Sequence, residues 1–562
     1  MLMNKIKTRF SIRTMLLGLL ACSMMSCSDD LDIQVVKVKG EPHDPNQPIE
    51  VTDYSPKEGS AGQKMVVYGK NFGIDPSIIK VTIGGAEAVV VSASGNAIYC
   101  LVPSKTESDM EPDFLAPGEE EEVTPEAQDV EDEPAVEESD LRSLWVAVGP
   151  AGAQKVAKAD ATFSYVKAWK VRTVAGQVNE KNENVHLDGP FDNCGNFANA
   201  ENFCIDPLNP NLVWISGDNS SPGTNIRLLD FEKNTVTTLF KDPSFIPDPK
   251  RVRWVDFTTD GKYNMLVALD SYSADVERPG VLLIERDHSK QGIEAFAESA
   301  KNPFVLVKSF FVNGVVAHPK SNSLFFNCYS TTGVYKFPDH TRFPELKGNP
   351  EGIYHFMNEG ASAYQAQHTQ MQYSFGESGW EFVMHMHPTG KYMIGVHVNG
   401  TGFLSKAFYN EAEDIFVQPG AFVNSNGTMG LGGAHGYMDG VGLNAKIANP
   451  REGCFVYNPE YEGQEDEYDF YFTDSKNHCI RKVTPQGIVS TFAGRGTCND
   501  PANDAGMVTA VGDDSSAKGF ADGLARGEAL FSWPRGITYS ETRGSFLIGD
   551  CGNKRIREIY FE

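Results

Sequence analysis

The chain is short of positive charge: 49 Lys and Arg stand against 75 Asp and Glu, for a formal net charge of −26. A polyanion of that size repels nucleic acid, which removes that class of partner. Beyond the first 26 residues there is no run of 18 apolar residues, so no transmembrane helix is expected. Cys-x-x-Cys is absent, and no cysteine spacing matches a zinc site. There is no G-x-S-x-G elbow and no H-E-x-x-H, which removes the usual serine hydrolase and zinc protease signatures. The glycine-rich GLGGAHG at 430–436 lies outside any βαβ context, so it does not mark a dinucleotide site.

What the chain has is turns and strands. Fifty-three Gly, 31 Pro and 20 Tyr in 562 residues favour an all-β protein of two or three domains. Lys5, Lys7, Arg9 and Arg13 precede a short apolar core, Met15 to Met25, too short to span a bilayer. Residues 1–26 therefore read as a signal peptide whose removal takes the formal charge from −26 to −30. Among the remaining cysteines, Cys194 and Cys204 are the closest pair, and export permits a disulfide.

Ser26-Cys27-Ser28-Asp29-Asp30 resembles the processing and surface-export signal of Bacteroidetes lipoproteins, with Cys27 acylated. Cys22, after LLA, is a competing acylation position; the serine and acids that follow Cys27 favour the latter. Several acyl chains would anchor the protein without a spanning helix. Residues 27–48, polar and proline-bearing, read as a lipidated tether.

From residue 49 short alternating strands begin. Pro56, Gly59 and Gly62, then GKNFG (69–73), VTIGGAEA (81–88) and LVPS (101–104), resemble the IPT/TIG domain, an immunoglobulin-like β-sandwich. The resemblance resumes at LWVAVGP and ends near Val166, giving a domain over 49–167. The interruption, 107–140, carries 16 Asp or Glu and no Lys or Arg. Such a block cannot bury apolar area and is expected to be a disordered, self-repelling loop.

Residues 168–562 repeat themselves. NAKIANPREGCFVYNP…YDFYFTDSKNHCIRKV and EALFSWPRGITYSETRGSFLIGDCGNKRIREIYFE share a Pro-Arg start, a strand ending in Asp, an Asn turn and an Ile-Arg strand. A looser copy occupies 198–240. This pattern resembles the NHL repeat, one four-stranded blade of a β-propeller. Weaker candidates at 251–287, 304–337 and 380–423 bring the count to six blades, with seven as the alternative because 345–379 is long enough to hide strands. The last copy lacks its fourth strand, and KVRTVAG at 170–176 matches the missing piece. Pairing the two would close the ring.

Candidate site residues follow from that architecture, since a propeller gathers loops around a central channel. Tyr272, Tyr329 and Tyr437 fall at loops or strand ends and suit stacking on sugars, whereas Trp214 and Trp254 fall inside apolar strands, where core packing is expected. Asp188, Asp439 and Asp522 each precede a glycine in loops between blades; turn formation is the competing use. His385 and His387 share one face of a strand by the period of two, with His397 on the next. They are the candidate ligands for a divalent metal, though no carboxylate is fixed beside them, and no other cofactor is implied. The expected function is a non-catalytic, surface-exposed glycan-binding lipoprotein of a polysaccharide-uptake system in the outer membrane. Its partners would be an oligosaccharide or polysaccharide and an outer-membrane transporter. A metal-assisted propeller lyase or hydrolase is the alternative, and a protein-interaction scaffold the second.

Overall fold

A computed structural model describes residues 40–60, 63–103, 105–106, 108–114, 141–217, 226–239, 252–270, 279–308, 312–328, 333–337, 339–342, 382–398, 402–424, 436–495 and 517–562. The chain forms two compact units, one ending at Ser164 and one holding Tyr165–Glu562, with Glu58–Gln63 grouped with the second. Cys27, Tyr272, Tyr329, the histidines at 355, 368 and 435, and the stretch 345–379 all lie outside the described residues.

The first unit is a β-sandwich. One sheet has the order Glu50–Ser55, Lys64–Gly73, Gly95–Leu101, Val89–Ala93; the other Lys155–Lys158, Leu144–Val148, Ile79–Ile83, Ala86–Glu87. Alternation dictates it: in Lys64–Gly73 Met65 and Val67 turn inward and are buried, while Lys64, Tyr68 and Lys70 face water. Tyr54, Phe72, Val81, Ile98 and Val146 complete a core with almost no exposure.

Two expectations are corrected here. Residues 43–48, read as tether, are tied down by Asn71, whose amide donates to the Asp44 carbonyl at 2.9 Å and the Gln47 carbonyl at 3.0 Å. The start of the acidic stretch is also ordered. The Asp109 carboxylate accepts from the Ser143 amide at 2.8 Å and its hydroxyl at 2.7 Å, so bonds to a residue 34 positions later hold a segment that composition alone assigns to a loop. Residues 115–140 lie outside the described set.

The second unit is a β-propeller. Its closing strand is β1 (Trp169–Ala175), the inner strands of the six blades are β2 (Asn202–Ile205), β3 (Val252–Phe257), β4 (Val312–Ala317), β5 (Phe382–Met386), β6 (Pro450–Tyr457) and β7 (Pro534–Ser540), and β8 (Arg555–Phe561) ends the chain. Each inner strand contacts the next, and β7 returns to β2, so six sheets close the ring. β1 pairs antiparallel with β8, with Trp169 opposite Phe561 and Val171 opposite Ile559. The chain's last strand therefore has no open edge on that side. The blade expected at 304–337 is shifted: Phe304–Lys308 is the outer strand of the preceding blade, reached after two short 3-10 turns, and the third blade begins at β4.

The repeat is built around buried arginines. Arg481 and Arg557 are fully buried. Arg481 donates to Asp474 at 2.9 Å, Asp439 at 2.8 Å and the carbonyls of Lys446 and Met438. Arg557 does the same with Asp550 at 2.8 Å, Asp522 at 2.6 Å and the carbonyls of Leu530 and Ala521. Arg227 reaches the carbonyls of Asn196 and Leu187 in the first blade. A buried guanidinium is tolerated because carboxylates and carbonyls replace its water. Cys194 and Cys204 are both free thiols, so the disulfide between them is absent.

Candidate functional site

The six inner strands surround a cavity of about 320 Å³, and all six contribute to its wall, for example through Cys204, Asp256, Val316, His385, Glu452 and Thr538. That volume is at the small end of ligand pockets, roughly 300–1,000 Å³. Trp254 lines it and is 5% exposed, with its ring 5.3 Å from that of His385 and its indole N–H without a hydrogen-bond partner among the described residues. A buried N–H without an acceptor costs free energy, about 1–3 kcal/mol.

Burial shifts the titratable wall groups toward their neutral forms. Burial pushes the Asp256 carboxyl up to about 7. Its oxygens accept from the Phe257 amide at 2.8 Å and the Ala317 amide at 3.4 Å. Burial, reinforced by the charge of Glu201 and opposed by Arg451, pushes Glu452 well above the usual carboxylate range. His385 lies with Nε2 3.4 Å from the Glu452 carboxyl and accepts from the Gly453 amide at 3.2 Å; burial lowers its pKa to about 3.

One residue toward the start of these strands the chemistry changes sign. Arg253, Arg451 and Arg535 come from β3, β6 and β7 and converge on Glu201, which immediately precedes β2. Arg535 binds one Glu201 oxygen, and Arg253 approaches the other at 3.6 Å while donating to Asp270 at 3.0 Å and 3.1 Å. Burial would raise the Glu201 carboxyl, but the guanidiniums of Arg535, Arg451 and Arg253 outweigh it and hold it below its ordinary value.

Of the residues nominated by sequence, His385 and His387 line the cavity, while the loop carboxylates and Tyr437 fall elsewhere. Asp188, Asp439 and Asp522 introduce two-residue strands, Gly189–Pro190, Gly440–Val441 and Gly523–Leu524, that add a fifth, outermost strand to three blades. Each carboxylate caps the neighbouring strand through one threonine: Asp188 on Thr238, Asp439 on Thr491 and Asp522 on Thr173. They are blade-edge clamps, far along the sheet from the channel. Tyr437 is also corrected, being buried, bonded through its hydroxyl to Thr491 at 2.7 Å and covered by Arg481.

His385 and His387 have different neighbours. His387 is fully buried, with Nδ1 2.8 Å from the Thr389 hydroxyl and Nε2 3.2 Å from Asp466, whereas His385 faces Glu452. His397 stacks on Phe403 at 4.0 Å. Among the described residues no three His, Cys, Asp or Glu side chains are grouped to hold a metal ion. Trp214 is a core residue whose N–H donates to Asp206 at 3.1 Å.

With this geometry in view, comparison with known proteins is informative. Residues 48–115 match the IPT/TIG domain. No curated protein matches the chain. An auxiliary nutrient binding protein from Bacteroides thetaiotaomicron is 31% identical, superposes with a TM-score of 0.66, and is covered over 99% of its length by 93% of this chain. The chain belongs to that protein's family. A second protein of Bacteroides thetaiotaomicron, provisionally named a phosphatase, is 29% identical with a TM-score of 0.66, over 93% of this chain and 99% of its own. An auxiliary nutrient binding protein from Bacteroides ovatus is 27% identical with a TM-score of 0.56, over 93% of this chain and 100% of its own. The likeness to all three extends over 93% of this chain and so takes in most of both units.

Proposed function

We propose that the protein is a cell-surface nutrient-binding lipoprotein that holds an oligosaccharide in the propeller channel, with the sandwich as spacer. The observation that carries this reading is the channel itself, a cavity walled by all six blades with Trp254, Asp256, His385 and Glu452 on its lining. The binding roles named for the Bacteroides thetaiotaomicron and Bacteroides ovatus relatives support it. Acylation at Cys27 would hold the protein at the outer membrane, beside a glycan transporter, with no need of a spanning helix. No helix among the described residues is long and apolar enough to cross a membrane.

A second reading, a sugar-processing enzyme, has one observation in its favour: two carboxyls that burial shifts toward the protonated form, Asp256 and Glu452, share the cavity with His385. A protonated carboxyl is a general acid in waiting. Affinity gel electrophoresis against a polysaccharide panel, with analysis of products, separates the two. Retarded migration without new reducing ends or unsaturated products is the expected result. Product formation that is lost in Glu452→Gln would establish the enzyme instead, and the absence of retardation on every polymer would end the binding proposal.

A further inference from the structure

Resting on that reading, we infer that the channel cavity holds the end of an uncharged glycan chain, a terminal sugar or two, and not an internal stretch of polymer. The closed ring carries this. The cavity is walled by all six inner strands, from Cys204 on β2 through Asp256, Val316, His385 and Glu452 to Thr538 on β7. Each inner strand contacts the next and β7 returns to β2, so the wall has no open side. The pairing of β1 with β8, from Trp169 opposite Phe561 to Ala175 opposite Ile556, holds the ring shut. A polymer lying across an open cleft is gripped along its middle. A closed ring admits a chain only along its axis, end first.

Size and position limit how much of the chain enters. At about 320 Å³ the cavity has the space of roughly ten waters, enough for about one or two sugar rings. It extends past the ends of β4 and β5 to Pro319, which is half-buried, and Pro388, which is exposed. At the other end, one residue before the lining starts at Asn202 and Trp254, Glu201 is ion-paired with Arg535 and, at 3.6 Å, with Arg253, which also donates to Asp270. These pairs draw side chains of three neighbouring blades together. A chain end that enters past Pro388 stops short of them.

The lining sets the charge of the sugar. Among the described residues it carries two carboxyls, Asp256 and Glu452, and neither lysine nor arginine. They stand on β3 and β6, three blades apart and so on opposite walls of a six-bladed ring. An anionic sugar between them would meet like charge from both sides, with no cation on the wall to answer it. Burial favours the protonated form of both, and a protonated carboxyl can donate to a sugar hydroxyl as well as accept from one. The rings of Trp254 and Phe455 add apolar surface for the C–H face of a pyranose.

The test is isothermal titration of the full chain with pullulan, glucomannan, linear arabinan and laminarin, each whole and cut to about a tenth of its length, and with polygalacturonate cut in the same way. Cutting multiplies chain ends about tenfold at constant mass. For a polymer that binds, the number of binding sites per gram should rise about tenfold on cutting, and the polygalacturonate fragments should bind at least tenfold more weakly. Met386→Trp, which fills the cavity with a large ring, should weaken binding at least tenfold, whereas Lys301→Ala, in an exposed pair with Glu298, should leave it unchanged. Thermal melts report whether both variants fold, and if Met386→Trp does not, the cutting experiment on the parent chain decides alone. Sites per gram that do not change on cutting would overturn end-first binding while leaving glycan binding intact. Full affinity in a folded Met386→Trp protein would overturn the inference and the channel site together. Polygalacturonate fragments bound as tightly as uncharged ones would overturn the charge assignment. Binding to none of the five polymers would overturn the inference and count against glycan binding itself.

Discussion

Replacing Trp169–Ala175 with a Gly-Ser segment of equal length lowers the melting temperature of the propeller by roughly 10 °C or more, although the segment is hundreds of residues from the blade it completes. β1 is the fourth strand of the last blade, hydrogen-bonded to β8 on one side and to Gly523–Leu524 on the other. Its Trp169 ring packs between Phe492, Phe546 and Phe561 with centroids 5.1–5.7 Å away, and Val171 is 2% exposed. Losing a packed tryptophan costs roughly 3–5 kcal/mol and losing a buried valine roughly 2 kcal/mol more. For a domain of this size each kcal/mol is worth about 2 °C. The replacement also leaves β8 as an open edge, so aggregation on heating should increase. Calorimetry of the two proteins checks this. Superimposable melts would mean that β1 does not close the ring.

The second large effect is expected from Arg557→Ala. The side chain is fully buried and answers Asp550, itself fully buried, together with Asp522 and two carbonyls. Burial pushes Asp550 up to about 6 and Arg557 opposes that, so at neutral pH the carboxylate is ionised and depends on its partner. Removing one member of a buried pair costs roughly 3–5 kcal/mol because the other charge is stranded. Adding Asp550→Asn to Arg557→Ala should recover part of the loss, whereas Lys301→Ala, which breaks an exposed pair with Glu298, should change stability by less than about 1 kcal/mol. Urea unfolding of the four proteins gives the comparison. An Arg557→Ala protein as stable as the parent would remove the arginine clamp from the account of the repeat.

The fold was legible because its signals are local and repeated. Alternating strands, Asp and Asn at the turns, and the Ile-Arg strand recur at Arg481 and Arg557, and the missing strand of the last copy announced its partner near Lys170. Blade boundaries were less legible where the outer strand is remote: Phe304–Lys308 is separated from its neighbour Pro279–Ile284 by turns that carry no strand signal.

The site was largely illegible, for a physical reason. Asp188, Asp439 and Asp522 drew attention as loop carboxylates, but a carboxylate before glycine is equally suited to capping a strand, and that use wins when a threonine stands opposite. Arg451 and Arg535 were in plain sight as the Pro-Arg of two repeats. Repetition made them look like scaffold, and only the ring shows that they meet Arg253 and Glu201 from non-adjacent parts of the chain. Trp254 sits in an apolar strand and does pack in the core, yet it also lines the cavity, a distinction that periodicity does not carry.

The central claim is that the propeller channel, and not the sandwich, holds the sugar. Hydrogen exchange of the full chain, with and without a polysaccharide that retards it in affinity electrophoresis, tests this most directly. The account predicts added protection along β2, β3, β5 and β6, around Cys204, Asp256, His385 and Glu452, with the sandwich unchanged. Protection confined to the sandwich strands Val89–Ala93 and Gly95–Leu101, whose Val89, Val91 and Tyr99 are exposed, would contradict it.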